Sequence, residues 1–176
     1  MIRSSVRLRE LERSDVPVIN RWRQNRALTA GIGAPHRHIG IEIDERWFEA
    51  YLTRRGTDVR CAVCRDGEPE LLGLASLTGI DPIHKHAEYH MLLGDRVTHG
   101  QGIGTEATVA MAHHGFRDLN LHRIYVYVLK ANVAARRMCE KAGYRHEGML
   151  REAAFKDGVY HDVHLMGQLQ SEFRPE

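Results

Sequence analysis

The stretch LLGDRVTHGQGIG, residues 92–104, decides the fold because it joins an apolar run typical of a strand to a segment, TEATVAMAHHGF, typical of a helix. Its three glycines, Gly100, Gly102 and Gly104, stand at every second position. Glycine lets the backbone take positive φ and approach a ligand closely, and the following helix adds the positive end of its dipole. A strand, a glycine loop and a helix in this order suit a phosphate group, and a pyrophosphate is the expected ligand.

Two well-known nucleotide-binding motifs do not match this loop. The dinucleotide fingerprint G-x-G-x-x-G requires its third glycine where Thr105 stands, and the next apolar strand ends without an Asp or Glu to hold a ribose. The phosphate loop of nucleotide hydrolases requires a Lys after its last glycine, and none follows here. For the loop taken alone, the alternative that it is only a tight turn between a strand and a helix, with no ligand, stays open.

The composition is that of an ordinary globular protein. The 176 residues are 43% apolar and 27% charged, with a formal net charge of +2. We expect one compact domain over residues 1–176. The near-neutral charge indicates neither nucleic acid nor an anionic membrane as a partner. The chain opens without an apolar signal segment and has no run approaching the roughly 18 residues of a membrane span, so a cytoplasmic location is expected.

The first half of the chain predicts a strand, two helices and a hairpin. Between the helices lies a long loop without a sustained period, residues 27–40, which we call the entrance loop. Because loops this long in compact domains are usually functional, we place there the entrance for the molecule that would react with the bound ligand, here called the acceptor. The second helix is expected to begin with Asp44 as its N-cap. The pair Asp66 and Gly67 predicts the turn of the hairpin that follows.

The second half predicts a strand, the glycine loop with its helix, a further strand and helix, and a closing hairpin. The run LHRIYVYVL, residues 121–129, is nearly continuous in apolar residues, the pattern of a strand covered on both faces. The helix after it is expected to end at Gly143, and Asp157 with Gly158 predicts the last turn.

Two motifs together resemble the GNAT superfamily of N-acetyltransferases, most closely its RimJ/RimL-type branch. The family pattern of an Arg, Gln or Trp followed by G-x-G-x-G/A falls on the segment HGQGIGTEA, with His99 at the first position and Gly100, Gly102 and Gly104 at the glycines. The segment ANVAARRMCEKAGYRHEG matches the second family pattern, which falls on Asn132, Ala135, Glu140, Lys141, Gly143, Tyr144, Glu147 and Gly148. Two motifs in the right order with a strand between them carry more weight than either alone.

This resemblance implies a fold, a reaction and its partners. The fold class is α/β (α+β), with a mixed, mostly antiparallel central sheet of about six to seven strands and helices on both faces. The reaction is acetyl transfer from acetyl-CoA, a co-substrate, to a primary amine by direct attack in a ternary complex. The acceptor is either a small molecule or a protein N-terminus, and a homodimer is left open. The alternative is a non-catalytic module that binds or senses acyl-CoA.

The resemblance also implies how coenzyme A is held. Backbone N–H groups of the glycine loop would bind the pyrophosphate, and the backbone at Leu92 and Leu93 would polarise the thioester carbonyl. Asn132 would contact the pantetheine arm or the thioester, and basic side chains nearby would meet the phosphates. The expected cofactor-binding residues are Leu92, Leu93, His99, Gly100, Gln101, Gly102, Ile103, Gly104, Thr105, Asn132, Arg136 and Arg137.

Three side chains are candidates for proton transfer. An alkylamine with a pKa near 10.4 is largely protonated at pH 7, so a base must remove its proton. Glu88 and His90 lie two apart on the strand before the glycine loop and therefore on one face, and either can serve as that base. Cys139 stands where many family members carry a Tyr that protonates the departing thiolate. A thiol on a helix is more often simply packed, so its role as donor stays open.

No metal site is expected. Twelve histidines are present, but their spacing assembles no set of three or four ligands. Cys61 and Cys64 form a C-x-x-C inside a predicted strand, where residues three apart point to opposite faces. We therefore expect these cysteines to pack in the core.

Overall fold

The computed structural model describes residues 5–94 and 100–174. Within them, seven strands form one sheet in the order β1-β2-β3-β4-β5-β7-β6. The strands are β1 (Val6–Glu10), β2 (Val59–Arg65), β3 (Gly73–Asp81), β4 (His86–Leu93), β5 (Arg123–Leu129), β6 (Arg145–Lys156) and β7 (Val159–Leu169). The helices are α1 (Val16–Gln24), α2 (Arg26–Thr29), α3 (Ile41–Thr53), α4 (Ile103–His113) and α5 (Val133–Lys141). None of these helices is long and apolar enough to cross a membrane.

The sheet is mixed but mostly antiparallel, as predicted. Every neighbouring pair is antiparallel except β4 and β5, which run parallel. A parallel pair requires a crossover, and α4 supplies it between these two strands. The glycine loop therefore lies where the chain leaves the sheet to make that crossover.

Helices cover both faces of the sheet, which also confirms the predicted fold class. One core packs α4 and α5 against residues such as Val63, Leu77 and Ile124. The other packs α1 and α3 against Ala62 and Cys64. Strand residues of opposite parity thus enter opposite cores, the alternation expected of a strand.

The C-x-x-C divides between these two cores. Cys61 packs against the α4/α5 core, whereas Cys64 is buried in the α1/α3 core. Burial raises the pKa of the Cys61 thiol to about 11, so this thiol stays protonated at neutral pH. Packing, as expected from the sequence, accounts for both side chains.

The predicted start of the second helix was wrong. α3 begins at Ile41 after Gly40, whose extended backbone (φ −72°, ψ 161°) makes it the N-cap. Asp44 lies in the first helical turn and is fully buried. Its carboxylate accepts hydrogen bonds from Asn20 Nδ2 at 2.7 Å and from Arg23 Nη1. The acidic residue that resembled a cap instead joins α3 to α1.

The prediction that β5 is covered on both faces was also wrong. Ile124, Val126 and Val128 are buried in the α4/α5 core, but Tyr125 is only partly buried and Tyr127 is 45% exposed. Tyrosine carries a large apolar ring, so the run looks continuously hydrophobic in the sequence even where one face is open.

β4 and β5 separate along their length. Their pairing runs from His86 opposite Arg123 to Glu88 opposite Tyr125 and stops there. β4 continues to Leu93 and β5 to Leu129, so each extends well beyond the paired region. This splay of β4 from β5 opens a gap in the sheet beside the glycine loop.

The predicted turns are present in the structure. Gly67 takes φ 81° at the β2–β3 turn, and Asp157 and Gly158 take φ 50° and 86° at the β6–β7 turn. Two successive residues with positive φ are the mark of the turn that matches strand twist. Gly143 takes φ 96° just after α5, as expected for a residue that ends a helix.

Candidate active site

Glu88 and His90 share one face of β4, beside the splay. Their side chains are 29% and 48% exposed, and His90 Nε2 lies 3.6 Å from Glu88 Oε1. Tyr89, between them, points to the opposite face and is buried in the α4/α5 core. The predicted common face is confirmed, and it is the side of the sheet that α1 and α3 partly cover. We call this open part of the sheet the acceptor face.

His90 has a defined polar environment. Its Nε2 lies 2.8 Å from Thr78 Oγ1 on β3. Burial lowers the pKa of His90 below its ordinary value, and the charge of Glu88 opposes that shift only in part. The imidazole is therefore neutral at pH 7 and can accept a proton.

Tyr125 and Tyr127 extend the acceptor face along β5, and neither was singled out from the sequence. Tyr125 stands opposite Glu88 in the pairing of β4 with β5, and the two tyrosine rings meet edge to face with centroids 5.7 Å apart. The signal was present in RIYVYVL, where Tyr alternates with aliphatic residues. A period of two predicts one covered face and one open face.

An ion pair borders the acceptor face on the β7 side. Both Nη atoms of Arg123 donate to the carboxylate of Glu147, and this interaction holds the pKa of Glu147 below its ordinary value. The pair lies over Gly167, where a Cβ atom would come within 2.5 Å of Glu147 Oε1 and 2.6 Å of Arg123 Nη1. Gly167 thus leaves the room that the ion pair occupies. Glu147 belongs to the E-G part of the second motif, and its pairing with Arg123 was not predicted from the sequence.

Two glycines of the glycine loop take the positive φ expected of a loop that approaches a phosphate. His99, a predicted cofactor-binding residue, lies outside the described residues. Gly100 and Gly102 take φ 80° and 83°, and Gly102 is the N-cap from which α4 starts at Ile103. Positive φ at successive glycines turns N–H groups to one side, at the positive end of the helix dipole.

The remaining loop residues are placed around this helix start. Gln101 is exposed and accepts a hydrogen bond from Arg65 on β2. Gly104 is buried, and a Cβ atom there would lie 2.8 Å from Met138 Sδ of α5. Thr105 is half-buried in the first turn. The third glycine therefore lets α4 and α5 approach each other, while the first two shape the loop.

Leu92 and Leu93 lie on the part of β4 beyond its pairing with β5. Leu92 is paired with Leu74 and Leu93 with Gly73, both on β3, so this part of β4 is paired on one side. The edge that faces the splay carries backbone groups available to a bound thioester.

Asn132 connects α5 to the entrance loop. Its Oδ1 accepts from Ala135 N at 3.0 Å as the N-cap of α5, and its Nδ2 donates to Gly31 O at 2.9 Å. A Cβ atom on Gly31 would lie 2.6 Å from that Nδ2, so glycine permits this close approach. Farther along α5, Arg136 is half-exposed with its Nε 3.6 Å from Glu140 Oε1, and Arg137 is exposed.

Cys139 lies in the interior. It is 1% exposed and belongs to the α4/α5 core together with Tyr89 and Tyr144. Burial raises the pKa of its thiol to about 12. This placement favours a packing role for Cys139 over proton donation to the departing thiolate.

No metal-binding cluster is found in residues 5–94 and 100–174, where three or more His, Cys, Asp or Glu side chains nowhere converge.

Comparison with known proteins shows the family. The sequence pattern of the acetyltransferase (GNAT) domain matches residues 5–145, most of the chain. The chain belongs to the GNAT acetyltransferase family. This GNAT protein is an N-acetyltransferase that uses acetyl-CoA as co-substrate, and the non-catalytic alternative is set aside.

Individual relatives give finer comparisons for this GNAT protein. It is 30% identical to spermidine N(1)-acetyltransferase of Vibrio cholerae over 97% of its length and 96% of that protein's. A crystal structure of spermidine N-acetyltransferase from Vibrio cholerae in complex with CoA and spermine superposes with a TM-score of 0.89, at 29% identity, covering 97% of this chain and 98% of that one. A ribosomal-protein-serine acetyltransferase of Escherichia coli is 32% identical, but over only 58% of this chain and 56% of that protein. The family predicted from the sequence is confirmed, whereas the RimJ/RimL-type branch is not specifically supported.

Proposed function

We propose that this GNAT enzyme acetylates a polyamine of the spermidine class, with Glu88 as the base that accepts the proton of the attacking amine. The observation that carries the proposal is the position of Glu88, the last residue of β4 that pairs with β5, where the sheet opens toward the glycine loop. Near-complete coverage of a spermidine N(1)-acetyltransferase, together with the shared fold, supports the acceptor class.

The reaction needs one proton removed and one returned. The amine nitrogen forms a bond to the thioester carbonyl carbon, the carbon–sulfur bond then breaks, and the products are an amide and the CoA thiol. Glu88 accepts the proton that leaves nitrogen, directly or through one water. His90 is a second candidate base, because burial keeps its imidazole neutral. With Cys139 packed in the core, we assign the proton of the departing sulfur to solvent or to the acceptor itself.

The residues proposed to hold acetyl-CoA follow the geometry of the splay. The N–H groups of residues 100–105 face the pyrophosphate, and the β4 edge at Leu92 and Leu93 hydrogen-bonds the thioester carbonyl. Asn132 orients the pantetheine arm from the start of α5, while Arg136 and Arg137 meet the phosphates. Positioning an amine beside a thioester in this way already supplies much of the rate.

The acceptor face suits a cationic chain. Glu88 supplies a carboxylate, and the exposed ring of Tyr127 offers a π face that attracts an ammonium group within about 6 Å, whereas the guanidinium of Arg123 already lies 5.7 Å from the centroid of the Tyr125 ring. The methylene segments of a polyamine can lie against the same rings. A strip that alternates charge, ring and apolar surface matches a ligand that alternates ammonium and methylene groups.

The test is release of CoA thiol from acetyl-CoA with a panel of acceptors: spermidine, spermine, putrescine and a peptide with a free N-terminal serine. The proposal expects the highest kcat/KM with spermidine or spermine. Turnover restricted to the peptide would replace the polyamine by a protein N-terminus as the acceptor. Absence of turnover with every amine, despite binding of acetyl-CoA, would overturn the proposed function. Size-exclusion chromatography of the same sample measures whether the protein forms the homodimer that the sequence left open.

A further inference from the structure

Lys156 is a buried cation that the proposed reaction does not use. It is the last residue of β6 and is 5% exposed. Its Nζ donates to three main-chain carbonyls, those of Thr29 at 2.8 Å, Ile32 at 3.0 Å and Ala34 at 3.1 Å. An ammonium group has three N–H donors, so all of them are satisfied by one segment of chain.

All three carbonyls lie within residues 27–40, the entrance loop, whose first residues 27–29 form the end of α2 and not the loop predicted from the sequence. Burying an ammonium group is costly unless its donors are paired, and here the partners come from a segment with no strand of its own. Removing the ammonium would leave three carbonyls without this donor. The three hydrogen bonds from Lys156 therefore stabilise the conformation of the loop more than that of the β6–β7 hairpin.

Further contacts hold the same loop region, among them bonds from Asn20 and Gln24 of α1 to the carbonyl of Ile39. Asn132 Nδ2 donates to Gly31 O from the start of α5, and Arg26 pairs with Asp157 at 3.0 Å beside the β6–β7 turn. The loop is thus fixed on one side to the helix proposed to carry the pantetheine contact. On the other side it is fixed to the end of the hairpin, with Lys156 as the buried contact.

The loop held in this way reaches a recess on the acceptor face through one residue, Gly33. Gly33 closes this recess of about 290 Å³ against Tyr127, Leu129, Leu150 and Val163. Leu129 and Val163 are paired across β5 and β7, and Leu150 is paired with Val163 across β6. Tyr127 connects this recess to Tyr125 and so to Glu88.

We propose that Lys156 is a positioning residue for acetyl transfer: its ammonium fixes residues 29–34 and so holds Gly33 in the wall of the acceptor pocket. The inference rests on the proposed function, because it takes the recess beside Tyr127 as the place of the acceptor's distal part. It gives the entrance loop a role in acceptor binding and none in the chemical step.

The substitution Lys156→Met removes the ammonium and keeps a side chain of similar length. The acceptor KM should rise about tenfold, the equivalent of roughly one net hydrogen bond, while kcat and the KM for acetyl-CoA change less than about twofold. Lys130→Met is the matched control: Lys130 pairs with Asp162 at 2.9 Å on the adjoining strand, is exposed, and makes no bond to the loop. Its acceptor KM should equal that of the wild-type protein.

Limited trypsin digestion tests the loop without reference to activity. Arg37 is exposed in the entrance loop, and cleavage after it should accelerate several-fold in Lys156→Met and not in Lys130→Met, since cleavage follows the population of the open segment. Lys156→Gln keeps an N–H donor, so its acceptor KM and its rate of cleavage after Arg37 should both rise, but by less than in Lys156→Met. This second variant keeps the test possible if Lys156→Met does not fold.

The acceptor KM and the rate of trypsin cleavage together distinguish failure of the Lys156 proposal from failure of the proposed function. Unchanged cleavage in Lys156→Met and Lys156→Gln would show that the carbonyl bonds do not hold the loop and would overturn the proposal. Faster cleavage with an unchanged acceptor KM would overturn it as well, because the loop would then be no wall of the acceptor pocket. A wild-type protein that acetylates no amine would overturn the proposed function, while digestion would still measure the hold of Lys156 on the loop.

Discussion

Glu88 and His90 compete for one role, and their pH dependence separates them. A histidine accepts a proton only when neutral, and the pKa of His90 is lowered, so its activity would be lost as pH falls through that lowered value, below about 6.5. Glu88→Gln should reduce kcat/KM for the amine by about 10²-fold or more, the range of general-base catalysis. His90→Gln should lower kcat/KM for the amine by less than about tenfold. It should also keep the loss of rate at low pH seen in the wild-type protein, because a general base other than His90 still operates.

The measurement is CoA release between pH 5.5 and 9, taken as the ratio of wild-type to variant rate at each pH. This ratio cancels the ionisation of the amine itself. Glu68→Gln, an exposed carboxylate on the β2–β3 connection, is the control for the same chemical change. If Glu88→Gln kept the wild-type rate and profile while His90→Gln lost the acidic limb, the base would be His90.

Gly102 should matter to acetyl-CoA through its backbone alone. With φ 83°, any side chain there is held in a conformation that costs L-residues about 1–2 kcal/mol. Gly102→Ala should relieve that strain by rotating the loop N–H groups, so the KM for acetyl-CoA should rise about tenfold if roughly 1.4 kcal/mol of binding is lost. Gly158→Ala has the same strain at φ 86° in the β6–β7 turn and should lower stability without changing this KM. Equal KM values for the two variants would count against the glycine loop as the phosphate site.

The contact between α1 and α3 depends on one buried carboxylate. Asp44 has no exposed surface and is bonded to Asn20 and Arg23, both on α1. Asp44→Ala should lower the free energy of unfolding by about 3 kcal/mol, because it leaves a partly buried guanidinium and an amide without their partner. Its neighbour Glu45 is exposed, and Glu45→Ala should fall within about 0.5 kcal/mol of wild type. Urea denaturation measures both, and similar values for the two would show that the network contributes little.

Asp44 and Tyr127 show where pattern reasoning on helices and strands stops. An acidic residue near a helix start has the composition of a cap, but whether it caps or is buried depends on what packs against that turn, here Asn20 from another helix. Tyr127 counted as apolar in a run that seemed covered, yet it is 45% exposed because the α1/α3 core does not extend over it, and such coverage depends on contacts between distant segments. Local turns, by contrast, were predictable, because Asp157 and Gly158 fix their own backbone.

Across the whole molecule, some features of the candidate site follow from local sequence spacing and others depend on contacts between distant residues. The glycine loop and the common face of Glu88 and His90 follow from spacing, so the sequence was sufficient for them. The pairing of Arg123 with Glu147 and the bonds from Lys156 to the entrance loop join residues 24 and more than 120 positions apart. No local period encodes such contacts, and the folded sheet order β4-β5-β7-β6 creates them.

Binding of coenzyme A should stabilise the entire fold, because the proposed site draws on β4, α4 and α5 together. A ligand that binds only the folded state at 100 times its Kd adds about 2.7 kcal/mol, which for a chain of this size corresponds to a rise in Tm of roughly 5–10 °C. NAD is the matched ligand control, since it carries a pyrophosphate but no pantetheine arm to occupy the splay, and it should shift Tm by less than about 2 °C at the same concentration. Differential scanning calorimetry measures both shifts. Equal shifts would mean that the loop recognises a pyrophosphate alone, and the gap between β4 and β5 would then have no part in choosing the acyl carrier.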